Sequence, residues 1–310
     1  RPGRVRARRQ GPGSRALPPP LPPGQAQRLR PTVAMGSDAL PKKLSLKAAQ
    51  EWVKSKPPKV QAALAGGAAL LALVLIYLLV EDHDNLFVLA EAVHFVGIGC
   101  LVYKLSKEET CSGLSRKTQH LTLVFLTIRL YCSFMMEYDI HTVLDLLTLV
   151  ATGWVVFTMH TKLASTYQAE LDTVPYAFVL APCFVLALVA HPTTNHWWLN
   201  RLLWAAQVYV ESVSVAPQLR MMQRAVVVER HTANYVFALG VARFLACAHW
   251  VLQVLDGESF LLTSLGSGIW PPMVLLSEIV QTGILADFCY YYVKTFAEGG
   301  SVMRLPTGTV

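Results

Sequence analysis

From Val60 to Val80 the chain runs through Ala, Leu and Val with no charged residue, close to the ~20 residues that an α-helix needs to cross a ~30 Å hydrocarbon core. A backbone in lipid must satisfy its own N–H and C=O groups, so a segment of this kind commits the chain to helical spans or a closed barrel. Seven further apolar stretches follow, at 86–104, 117–136, 142–160, 174–191, 198–217, 233–254 and 271–293. Their length is that of helices rather than of barrel strands, and the expected fold is an all-α polytopic membrane protein. Hydrophobic residues make up 53% of the chain and charged ones 15%, too little polar surface to cover a soluble globule of 310 residues.

The flanks of these spans alternate in charge. Lys42, Lys43, Lys47, Lys54, Lys56 and Lys59 precede the first; Lys104, Lys107, Arg116 and Lys117 lie after the second; Lys162, then Arg220, Arg224 and Arg230, then Lys294 and Arg304 follow in turn. The intervening flanks, 81–85, 137–141, 191–197 and 255–270, hold no Lys or Arg and carry Glu81, Asp82, Asp84, Glu137, Asp139, Asp256 and Glu258. Positive residues are retained on the cytosolic side. Eight spans with both termini cytosolic account for the alternation.

The formal charge of +7 does not indicate a nucleic-acid partner. Residues 1–34 carry eight arginines and no acid, which leaves −1 for the rest. That Pro- and Arg-rich stretch, expected to be disordered, belongs to a 1–59 N-terminal segment, and Met35 is a candidate start within it. The six cysteines, Cys100, Cys111, Cys132, Cys183, Cys247 and Cys289, show no CxxC spacing and read as small buried hydrophobes. No metal site, cofactor or catalytic motif is visible, and the chain reads as a non-enzyme.

Several polar residues fall within the spans. Glu91 and His94 share the second; Arg129 lies mid-span in the third, and Asp145 near the start of the fourth. Arg201, Trp204 and Glu211 share another span, Arg243, His249 and Trp250 the next, and Glu278 and Asp287 the last. A charge at the bilayer centre costs at least ~2.5–3.5 kcal/mol, so each calls for a partner or a wet cavity. Helical spacing puts His94 with Glu91, Trp204 with Glu211 and Arg243 with Trp250 on common faces. Two arginines suit a carboxylate, because the planar guanidinium donates bidentately and stays charged. The alternative is structural: Arg129 pairs with Asp145, Arg243 with Glu211 or Asp287, and His94 is a packed histidine.

Residues 85–296 resemble the ER lumen protein-retaining receptors, the KDEL/HDEL receptors. The resemblance is carried by Cys111-Ser112-Gly113-Leu114-Ser115 with Lys117 and Gln119, and by Lys162 to Tyr167 with Asp172-Thr173. It continues through Tyr209-Val210-Glu211-Ser212-Val213 with Pro217-Gln218-Leu219, Asn234 to Val241 with Arg243, Gln281-Thr282 and Asp287-Phe288. It implies a seven-helix core of two three-helix repeats, similar to the SWEET and PQ-loop proteins, with the 60–80 helix added in front and a cytosolic tail at 297–310. It also implies a receptor of the ER and Golgi membranes that captures C-terminal retention-signal peptides of lumenal proteins at acidic pH and returns them with vesicle coat machinery. Arg129 and Arg243 then match the arginines that hold the peptide carboxylate and His94 the proton sensor; Trp204, Glu211, Trp250 and Asp287 match other cavity residues.

The sequence departs from the family pattern at several of these places. Arg129 is followed by Leu130-Tyr131-Cys132, Phe87 or Val88 stands where an arginine is expected, and Arg201 replaces an acid. Ala242 and Ala246 replace tyrosines, His249 an asparagine and Gln253 an arginine; the tail carries only Arg304 in place of a lysine cluster. Carboxylate capture is expected to persist, whereas selection for a Lys- or His-containing peptide is expected to be weakened and side-chain readout lost. A carrier of a small organic anion on the same helical plan is the alternative.

Overall fold

A computed structural model describes residues 84–136, 140–225, 227–255 and 268–297, together with 52, 55–57, 60, 61, 63, 64, 67, 70, 71 and 303. Most of the expected 1–59 N-terminal segment and of the 60–80 span lie outside these residues; the described positions Val60, Gln61, Ala63, Leu64, Gly67, Leu70 and Leu71 are helical.

The described core is all-helical. In chain order the helices are α1 (Asp84–Lys107), α2 (Arg116–Met136), α3 (Ile140–His160), α4 (Tyr176–Val189), α5 (Trp198–Val213), α6 (Ala216–Arg224), α7 (Arg230–Leu255) and α8 (Trp270–Ala297), with a 3₁₀ turn at Ala164–Thr166. Each predicted span after residue 85 except 198–217 coincides with one helix. Parts of α1, α3, α7 and α8 are long and apolar enough by themselves to cross a bilayer. The α4 helix is shorter, contains Pro182, and packs mainly against α5.

The fifth helix differs from expectation. The predicted 198–217 span ends as a helix at Val213, and a separate helix begins at Ala216. Pro217 explains the break: it has no N–H, and its ring collides with the carbonyl four residues earlier in a continuous helix. The carbonyl of Glu211, freed from the ladder, accepts from Ser214 N at 3.2 Å, Ser214 Oγ at 2.9 Å and Gln281 Nε2 at 3.1 Å.

Helix α1 packs on α7 and α3, α7 on α8, and α2 on α3 and α5, while α8 also reaches α5. Two apolar cores result. One gathers Ile98, Leu101, Val155, Met159, Tyr235, Val236 and Phe288; the other gathers Phe125, Leu126, Cys183, Ala205, Tyr209, Trp270 and Val274. Large apolar side chains such as Val150, Phe157, Phe178, Val185 and Val189 stay exposed on the outside, as lipid-facing surfaces require. At Gly240 a Cβ would run into Cys289 Sγ, so a bare backbone lets α7 meet α8.

Candidate functional site

Four helices deliver one charged cluster between the two cores. Arg129 of α2 donates Nη1 to both oxygens of Glu211 on α5 at 3.1 Å, and its Nε meets Asp145 Oδ1 of α3 at 3.1 Å. Its Nη2 lies 2.9 Å from the same Asp145 oxygen. From α7, Arg243 Nη2 approaches Glu211 Oε1 to 2.6 Å. Two arginines thus face two carboxylates, and Glu211 is shared between both cations. Asp145, Glu211 and Arg243 are buried, whereas the Arg129 side chain keeps 16% of its surface exposed. Burying four charges is tolerable only with close geometry, because each ion loses several kcal/mol of hydration.

A small cavity of about 10 Å³ adjoins Arg243, lined by His94, Thr118, Thr122, Ser214, Tyr235 and Gln281 among others. That volume is about what one water needs, and its walls combine polar groups with the apolar side chains of Phe125, Val215, Leu239 and Leu285. Buried His94 stacks on Phe125 with ring centres 6.5 Å apart, so it faces this chamber. Glu91, expected beside His94, turns instead to His141 of α3, whose Nδ1 lies 2.9 Å away. Phe87 packs between His141 and His249, at centroid distances of 4.8 and 5.5 Å.

The structure therefore brings Arg129, Arg243, Glu211 and His94 together. The anticipated pairs of Arg129 with Asp145 and of Arg243 with Glu211 are present. Trp204 and Trp250 pack, partly buried, against the second core; Trp204 meets Trp270 edge-on at 6.2 Å. Asp287 does not join them. The buried stripe of α8 runs through Val274, Glu278, Gln281 and Leu285, while Asp287 shares the exposed face of Val280 and Gly283. Spacing within one helix left unmarked the lining residues Thr118, Thr122, Ser214 and Tyr235, since each comes from a different turn or helix.

Such a cluster can hold an anion: two guanidiniums from separate helices converge on one carboxylate and already demonstrate the geometry that a ligand carboxylate needs. A protein-family model, ER lumen protein retaining receptor, matches residues 110–253. The ER lumen protein-retaining receptor erd-2.2 of Caenorhabditis elegans is 33% identical over 72% of this chain and 99% of its own length. The chain belongs to the ER lumen protein-retaining receptor family. Receptor B of Arabidopsis thaliana is 32% identical over 72% of the chain and 99% of its own length, and the Drosophila melanogaster receptor 31% over 69% and 94%. These relatives are receptors by name, and the small-anion carrier reading gains no support from them.

The family match opens at the Cys111–Ser115 loop, where a second polar network locks the helix ends. Fully buried Lys104 pairs with Glu229 and donates to Ser112 O at 2.6 Å and Thr232 Oγ1 at 3.0 Å. Ser115 Oγ donates to Asp172 at 2.9 Å, Ser115 N to Gln218 Oε1 at 2.8 Å, and Tyr167 OH to Asp172 at 2.7 Å. Burial, with Asp172 accepting beside it, pushes the Tyr167 phenol up, so it stays a donor. Gly113, at φ 74°, supplies the left-handed turn. Cys111 is more than a small hydrophobe here, since its Sγ donates to Leu163 O at 3.1 Å.

Proposed function

We propose that this chain is a multi-pass receptor of the ER and Golgi membranes that binds the C-terminal carboxylate of a lumenal peptide between Arg129 and Arg243. The observation that carries the reading is the bridging of both guanidiniums by Glu211, at 3.1 and 2.6 Å. An internal carboxylate holds the two cations in a shape complementary to a ligand carboxylate. A peptide end then replaces part of Glu211's share, gaining charge-assisted hydrogen bonds that a neutral end lacks. His94 lies beside the same chamber, the position that the family resemblance gives to the proton sensor.

The lysine-free flanks support a lumenal opening with both termini cytosolic. The named relatives are ER lumen protein-retaining receptors, which supports the same role for this chain. The 297–310 tail has Arg304 as its one basic residue.

The test is a secreted reporter carrying Lys-Asp-Glu-Leu, His-Asp-Glu-Leu or randomised C-terminal tetrapeptides, co-expressed with the chain or its Arg129→Gln variant. Retention of a subset of reporters by the wild type, lost in the variant, is expected. Unchanged secretion of every reporter would contradict the reading.

A further inference from the structure

We infer that Glu278 is a second ligand-reading group of this site, accepting the cationic side chain of the last or penultimate residue of the peptide whose carboxylate Arg129 and Arg243 hold. The inference rests on the carboxylate-receptor reading and adds the chemistry of the ligand next to its terminus.

Glu278 is 8% exposed, and among the described residues its Oε2 is buried with no hydrogen-bond partner. It is close enough to interact electrostatically with Arg243, Glu211 and Arg129. Those cations are already matched by Glu211 and Asp145, so Glu278 is a third carboxylate beside two arginines. A buried, unpaired carboxylate is costly enough that it takes up either a proton or a cation.

Its position favours a ligand. One turn further along α8, Gln281 donates to Glu211 O at 3.1 Å and Thr282 to Arg243 O at 3.3 Å, which fixes the level of the arginine cluster. Glu278 stands one turn from that level, ~5.4 Å, toward the Trp270 end of the helix. Along the same seam between α5 and α8, buried Gln207 Oε1 and Trp270 Nε1 also lack partners, and Trp270 meets Trp204, one turn from Gln207 on α5. Glu278 and Trp270 on α8 and Gln207 on α5 thus each keep a buried polar atom without a partner among the described residues. A peptide whose carboxylate reaches the arginines has its final two side chains within about a turn of that point, since an extended chain advances ~3.3 Å per residue. A lysine there meets Glu278 without competing for Arg243.

The experiment uses the full chain in lipid nanodiscs and acetylated tetrapeptides Ala-Ala-Lys-Leu and Ala-Ala-Ala-Lys, with norleucine counterparts, each as free acid and amide. Lysine should be preferred over norleucine at one of the two positions by about tenfold, the scale of one hydrogen bond to a charged group. In Glu278→Gln that preference should vanish while the acid-over-amide preference persists. Equal binding of lysine and norleucine peptides to the wild type, with the acid preference intact, would mean that Glu278 simply carries a proton, and would overturn the inference alone. Failure of every peptide to bind, or equal binding of acids and amides, would remove the underlying reading and this inference with it. Should Glu278→Gln fail to fold, the wild-type comparison of lysine with norleucine decides.

Discussion

Arg243 Nη2 of α7 lies 2.6 Å from Glu211 Oε1 of α5, and the same oxygen accepts Arg129 Nη1 of α2 at 3.1 Å. One carboxylate thereby ties three helices that share no loop.

Removing that carboxylate leaves Arg129 with Asp145 as its ion-pair partner and takes from Arg243 the carboxylate that it touches. Glu211→Gln should lower stability by about 3–5 kcal/mol, the cost of breaking a buried ion pair by removing one partner. Combining it with Arg243→Met should recover part of the loss, because the remaining charges again balance. Thermal unfolding of the single and double variants in detergent checks this; a double variant no more stable than Glu211→Gln alone would speak against coupling between the two residues.

A second ion pair lies at the opposite helix ends. Lys104 is fully buried with Glu229 as its carboxylate partner, so Glu229→Gln should destabilise the fold by about 3 kcal/mol or more. Lys104→Met together with Glu229→Gln should be milder than Glu229→Gln alone, since no buried ammonium is left unmatched. Melting temperatures of the three variants give the sign directly.

Gly240 is a steric requirement. A methyl group there collides with Cys289 Sγ, so Gly240→Ala should cost about 1–3 kcal/mol by pushing α7 off α8. Cys289→Ala in the same chain should restore most of it. Thermal unfolding is again the readout, and a Gly240→Ala chain as stable as wild type would show that α8 yields without cost.

The spans and the likeness to a receptor family were legible because lipid imposes a simple rule on sequence: long apolar helices, and few charges between them. Pairing of Arg129 with Asp145 was also legible, since a charge in a span demands a partner and Asp145 begins the next helix. The sharing of Glu211 between Arg129 and Arg243 was not, because residues separated by 82 positions meet only through helix packing. The exposed position of Asp287 was not legible, because its face is set by the whole stripe of α8 and not by its own charge. The break after Val213 had a signal in Pro217, whose effect falls four residues upstream of the proline itself. Lys104 read as a flanking positive charge, and nothing near it in sequence announces Glu229, 125 positions away.

The most direct test of the central claim is a capture experiment on the purified full chain at pH 5.5, using one random tetrapeptide library made both as free acids and as C-terminal amides, with bound peptides counted by mass spectrometry. Anchoring by Arg129 and Arg243 predicts strong enrichment of a subset of acids and none of the matching amides. Enrichment of the same sequences in both forms would contradict it.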